Sequence, residues 1–180
     1  MPKLGFLILA AVLSAPPLAA CAQGMDAPST DKSACAAVDT ALPASLAAWT
    51  AKGELASAAA AADLPRAALA PGQAVKLALH PTAEVAYVTQ PEKPGGSVSK
   101  GGMAQVEIKE AGTYRIALGA GAWLDVLKDG HPVTSVAHAP GVPCSTIRKM
   151  VDFPLEPGAY IIQVSANADP VLAILVARQP

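Results

Sequence analysis

Side chains able to do chemistry are few in this chain and widely spaced. His80, His131 and His138 are its three histidines, and no HxH, HxxxH or CxxC occurs. A metal ion needs ligands that converge on one point. A two-histidine, one-carboxylate iron (Fe) site would have to draw on His131 and His138 with Glu84 or Asp129. The preferred reading is plainer: three turn or edge histidines, with no metal and no cofactor. Nucleophile motifs fare similarly. There is no GxSxG. The run Pro94–Gly102 has the composition of a phosphate loop but not the GxxxxGK[ST] spacing or the helix that must follow it. Ser97 and Lys100 match SxxK literally, yet that motif opens a helix in a much larger α/β domain, so a flexible Gly/Ser loop is expected here.

The richest polar-aromatic grouping is Trp123, Arg115, Asp125, Arg148 and Asp152. In a strand, successive side chains point to opposite faces. If Tyr114, Ile116 and Leu118 point inward, Arg115 points out; if Leu124 and Val126 point inward, Trp123 and Asp125 point out. Arg148, Asp152 and Gln163 share the outward parity of their own stretches. An outward Trp beside Arg and Asp makes a stacking platform for a sugar or another planar ligand. The competing reading is cross-strand ion pairing of Arg115 or Arg148 with Asp125 or Asp152, worth under about 1 kcal/mol per pair at an exposed position.

The elements that must position these residues are short strands. Residues 112–130 read as a β-hairpin: a strand Tyr114–Leu118, a Gly-Ala-Gly turn at Gly119–Gly121, and a strand Trp123–Lys128 stopped by Asp129-Gly130. A weaker echo follows at Pro157–Val164, where Gly, one residue and Tyr again precede alternating apolar residues. Tyr114 should anchor the core with its hydroxyl bonded near a sheet corner. Further strands are expected at Gln73–His80, Glu84–Thr89, Met103–Glu110, Pro132–Ala137, Ile147–Leu155, Tyr160–Ser165 and Val171–Ala177. About eight or nine strands with turn signals between them, 17 Pro and 14 Gly, and no helical period, predict an all-β domain over 71–180. An antiparallel β-sandwich or jelly roll fits best. Residues 23–70 read as an Ala-rich arm, flexible or partly helical, in which Leu42, Leu46 and Trp49 share one side of a short turn and Trp49 plugs onto the sheets.

The N-terminus reads as an export signal over residues 1–22, with Lys3 ahead of an apolar run Leu4–Leu13 too short to stay in a bilayer. Leu18-Ala19-Ala20-Cys21 fits a lipobox that would acylate Cys21 and anchor the chain to a membrane; Ala20-Cys21-Ala22 fits ordinary signal cleavage. Either route leaves Cys35 and Cys144 in an oxidising compartment, where a disulfide is expected. The predicted address is the periplasm, or the outer membrane for the lipoprotein. A formal net charge of −1 implies no charge-driven affinity for nucleic acid or anionic lipid.

The stretches HPTAEVAYV, KPGGSVSKGG, AGTYRIALGAGAWLDVLKDG and CSTIRKMVDFPLEPGAYIIQV, within Pro71 to Ala177, resemble a family of short exported bacterial proteins. Some members carry the name homogentisate 1,2-dioxygenase. That resemblance implies iron-dependent opening of an aromatic ring, with iron held by two His and a Glu; no position here matches that ligand motif. The GxY rhythm and the LEPGAYIIQV stretch are also similar to small β-sandwich modules appended to secreted peptidases. The leading expectation is a non-catalytic binding or accessory module for an envelope glycan or small molecule. A dioxygenase and a lipid-anchored structural envelope protein are the alternatives.

Overall fold

The computed structural model describes Cys35 and residues 37–180. The predicted signal segment and Cys21 lie outside the described residues. The strands are β1 Gly53–Ala56, β2 Ala68–Leu69, β3 Ala74–Ala78, β4 His80–Pro81, β5 Lys100–Ile108, β6 Gly112–Leu118, β7 Trp123–Lys128, β8 His131–Pro132, β9 Ala137–Pro140, β10 Lys149–Leu155, β11 Gly158–Asn167 and β12 Val171–Arg178. They form two six-stranded sheets, one ordered β1-β3-β12-β6-β10-β9, the other β2-β5-β11-β7-β8 with β4 also on β5. This is the β-sandwich that the alternation predicts. It is mixed rather than purely antiparallel, because β1 joins β3 and β2 joins β5 in parallel.

The expected hairpin is not a hairpin. β6 lies in the first sheet with β12 on one edge and β10 on the other. β7 lies in the second sheet between β11 and β8. Gly119–Ala122 therefore carries the chain across the sandwich, and neither Gly119 nor Gly121 takes a positive φ. The true two-residue turn is Asp129-Gly130, with φ of 51° and 79°, which pairs Lys128 with His131. Two adjacent positive φ values suit the right-handed strand twist, and Asp-Gly reaches them at low cost.

Two more expectations are corrected, and the partly helical reading of the arm is filled in. Glu84–Thr89 is not a strand: its amides bond side chains and loops instead of a neighbouring strand. Pro132–Ala137 divides into β8 and β9, which belong to different sheets. Within the arm expected to be flexible or partly helical, residues 44–69 supply two 3-10 turns, Ala44–Thr50 and Ala61–Arg66, and the edge strands β1 and β2.

The main core lies between the sheets. Tyr114, Ile116 and Leu118 meet Ala104, Val106, Ile108, Val126, Ile162 and Val164 there, together with Phe153 and Leu155. A second cluster covers the outer face of the first sheet, where Leu46, Trp49 and Ile147 cap Ala117, Met150, Leu175 and Ala177. β12 is thus buried on both faces, which is why VLAILVAR is almost continuously apolar. Trp49 is fully buried, as expected. Its Nε1–H donates to Thr146 Oγ1 at 2.8 Å, and Thr146 donates its hydroxyl to Asp39 Oδ2 at 2.6 Å and its amide to Asp39 Oδ1 at 2.7 Å. The predicted Cys35–Cys144 disulfide closes beside this chain of bonds, with Cα atoms 5.4 Å apart.

Two of the passages between sheets share one device. The Tyr114 hydroxyl donates to Glu110 O at 2.9 Å where β5 leads to β6. The Tyr160 hydroxyl donates to Glu156 O at 2.9 Å and accepts from Glu156 N at 3.0 Å where β10 leads to β11. Both read E-x-G-x-Y, and both resemble the tyrosine corner of β-sandwiches. Tyr160→Phe strips both partners from the Glu156 backbone and should cost about 1–3 kcal/mol in a urea titration. Reducing Cys35–Cys144, which are 109 positions apart, should cost about 2–4 kcal/mol by the same measurement. An unchanged midpoint on reduction would contradict the clamp.

Candidate functional site

Trp123 and Asp125 point outward from β7, as the alternation predicts, and the register pairs them with Ser165 and Gln163 of β11. Asp125, Gln163 and Met103 thus form one cross-strand row on the outer face of the second sheet. A strap over residues 85–93 crosses this face. The Gln163 amide holds it: Oε1 accepts from Val88 N at 2.9 Å and Thr89 N at 3.2 Å, and Nε2 donates to Thr89 O at 2.8 Å. One buried side chain does what a strand's backbone would otherwise do. Ser165 Oγ donates to Lys93 O at 2.8 Å, and the Tyr87 hydroxyl donates to Val164 O at 2.9 Å. Tyr87 fits only because residue 101 is glycine; a Cβ there would lie 1.9 Å from the phenol oxygen. Burial pushes the Tyr87 phenol up to about 12.

The strap brings Lys93 over the half-buried Trp123 indole, with Nζ 4.8 Å from the ring centroid. Lys149, the first residue of β10, reaches the same ring from the first sheet, with Nζ at 5.8 Å and a 2.9 Å hydrogen bond to Ala122 O. The indole N–H donates to both oxygens of Asp125, at 3.0 and 3.1 Å. Burial raises the Asp125 carboxyl above its ordinary range; the indole N–H pulls it back, Glu92 raises it and Lys149 lowers it. Burial likewise lowers the Lys149 ammonium, Lys93 lowers it further, and Asp125 partly restores it. The result is an aromatic surface flanked by two cations and one carboxylate, of which Lys149 and Asp125 are partly stripped of water. Such a group can stack a ring and hydrogen-bond its substituents.

The structure does not bring all the sequence candidates together. Arg115 and Asp152 pair across β6 and β10, with Nε–Oδ1 at 2.8 Å and Nη2–Oδ2 at 2.7 Å. They lie on the outer face of the first sheet, on the opposite side of the sandwich from Trp123 and Asp125. A single face joining Trp123, Arg115 and Arg148 does not form, because the chain changes sheets between Leu118 and Trp123. Arg148 is exposed and joins none of the ion pairs among the described residues. The cations at Trp123 are Lys93 and Lys149 instead. Lys149 had a sequence signal: it shares the inward parity of Val151, Phe153 and Leu155. Lys93 sits in a loop without periodicity.

The histidines do not converge. His80 Nε2 is 3.0 Å from Ser57 O, His138 Nε2 is 2.9 Å from Ser135 Oγ, and His131 is exposed on β8. Among the described residues no three His, Cys, Asp or Glu side chains are placed to hold a metal ion, so His131, His138 and Glu84 do not fit an iron site. A separate cleft of about 610 Å³ beside Tyr114 is lined by Leu69, Pro71, Glu107, Glu110 and Arg178. Its arginine already pairs with Glu110 at 3.3 Å. The disulfide fits an oxidising, exported compartment, and among the described residues no helix is long and apolar enough to cross a membrane. No family model and no curated protein matches the chain.

The ionisation of Asp125 has a consequence for stability. Because its folded pKa is raised, the native state holds its proton more tightly than the unfolded state does. Stability is therefore lost as pH rises from the ordinary value of 3.8 through the folded pKa. Asp125→Asn keeps an acceptor for the indole and removes the charge. Its urea midpoint should exceed the parent's at pH 7, and the gain should vanish below about pH 4. A pH-independent difference would show that burial of this carboxylate is not the cause.

Proposed function

We propose that this protein is an exported, non-catalytic binding module of the bacterial envelope whose ligand seat is Trp123. The ligand is an envelope glycan or a small planar molecule that lies on the indole and bonds to Asp125, Lys93 and Lys149. One observation carries this reading: a half-exposed aromatic ring has Lys93 above it and lies beside a carboxylate, Asp125, and an ammonium, Lys149, that folding has partly desolvated at a cost to stability. Charges held at such a cost are characteristic of sites that meet a partner. The address is the periplasm. If Cys21 is acylated, the lipid and residues 22–34 tether the sandwich to the outer membrane.

Fluorescence isolates the seat, because the other tryptophan, Trp49, has no exposed surface. Titrating the mature, disulfide-bonded protein with envelope glycan fragments and small aromatics should shift or quench the emission. Trp123→Ala should abolish the response and weaken binding at least tenfold by calorimetry, while leaving the urea midpoint within about 1 kcal/mol of the parent. A panel of neutral and acidic glycans and aromatics that leaves Trp123 emission untouched would favour a purely structural envelope role.

A further inference from the structure

The ligand class at Trp123 follows from which charges are already paired and which are not. Among the described residues, the ion pairs are Arg66–Asp63, Lys76–Glu54, Arg115–Asp152 and Arg178–Glu110. Neither ammonium at the indole takes part in one. The Asp125 carboxylate accepts the indole N–H with both oxygens and acts on Lys149 through its charge, but forms no ion pair with either ammonium. Lys149 is half-buried with three donors to place, and Ala122 O takes one. Lys93 comes from the strap, 4.8 Å from the centroid of the ring that Lys149 approaches to 5.8 Å. Two ammoniums thus approach one indole, and among the described residues no carboxylate forms an ion pair with either.

Resting on the reading of Trp123 as the seat, we infer that its ligand is an acidic glycan, a sugar polymer bearing ring carboxylates of the uronic acid type. One such carboxylate, accepting from Lys149 and Lys93, balances the two ammoniums together with Asp125 and takes donors left without a partner among the described residues. The C–H face of the same sugar ring then lies on the indole. A neutral sugar can stack but leaves both ammoniums without an anionic ligand group. A free simple anion can bridge them but has no ring to stack. Carboxylate and ring on one ligand use both halves of the site.

The test compares two polymers that differ only at the carboxylate. Oligogalacturonate and its methyl ester are titrated into the mature, disulfide-bonded protein at low salt, with Trp123 emission and calorimetry as readouts. The acid should bind at least tenfold more tightly than the ester, and its affinity should fall as salt rises. Lys149→Gln and Lys93→Gln should each weaken binding of the acid at least threefold more than binding of the ester. Lys93 is exposed, so its variant remains informative if the Lys149 variant folds poorly. Equal binding of acid and ester overturns the acidic class and leaves Trp123 as a seat for neutral ligands; a preference that survives both substitutions overturns recognition of the carboxylate by Lys149 and Lys93, and with it the proposal. No emission change with either polymer overturns the acidic class too. Trp123 as a seat falls only if neutral oligosaccharides and small aromatics are equally silent.

Discussion

Leu118 is paired with Ile174 on one side and with Lys149 on the other, and that leaves β6 no free edge. The chain that follows cannot pair with β6, and it leaves the sheet. Gly119–Ala122 makes the step, and Gly119 permits it by lying close to Ala173, where an added Cβ would come within 3.1 Å. The chain then joins the second sheet at Trp123. The same change of sheet occurs at Glu110–Tyr114 and at Glu156–Tyr160, each fixed by a tyrosine hydroxyl on the carbonyl four residues back. These passages weave the two sheets together, so neither can form its full set of neighbours without the other.

The weave also explains how a chain with so few aromatic residues fills its interior. The first sheet is buried on both faces, by the main core within and by Leu46, Trp49 and Ile147 without. The outer layer is anchored by polar contacts as well as by apolar packing. Trp49, Thr146 and Asp39 form a continuous hydrogen-bonded path that ends beside the Cys35–Cys144 bridge. Thr146 accepts from the indole and donates to the carboxylate, so each member of the path is satisfied by the next. Asp39 and Cys144 both take positive φ, which costs a residue with a Cβ about 1 kcal/mol or more. The disulfide and the Asp39–Thr146 bonds hold them there.

The second sheet is treated differently. Its outer face carries a strap instead of a second core, and the strap is held by polar side chains. Gln163 supplies both an acceptor and a donor where a paired strand would supply its backbone. This brings Lys93 to the indole while leaving the ring half exposed. The two outer faces thus divide the labour: one adds stability through buried apolar area, the other gives up some of it to keep charges near an aromatic surface. Arg115 and Asp152 belong to the first, where each satisfies the other with two hydrogen bonds.

Period-two alternation was enough to identify the fold class, because each strand carries its own record of which face is buried. It placed Ala104, Val106 and Ile108 inward, and it set Trp123 and Asp125 on the opposite face from Leu124 and Val126. Two cysteines beyond a predicted export signal were enough for the disulfide. Pairing was another matter. Alternation says which way a residue faces within its sheet and nothing about which sheet that is. Arg115 and Trp123 therefore looked like neighbours on one hairpin, while the edges filled by β10 and β12 send them to opposite sides. The strap was illegible for a related reason: residues 85–93 bond to the Gln163 side chain and to loop carbonyls, and contacts of that kind leave no period in the sequence. Which residues face outward was local information; which outward residues meet depended on the competition for strand edges, and that competition exists only in the folded chain.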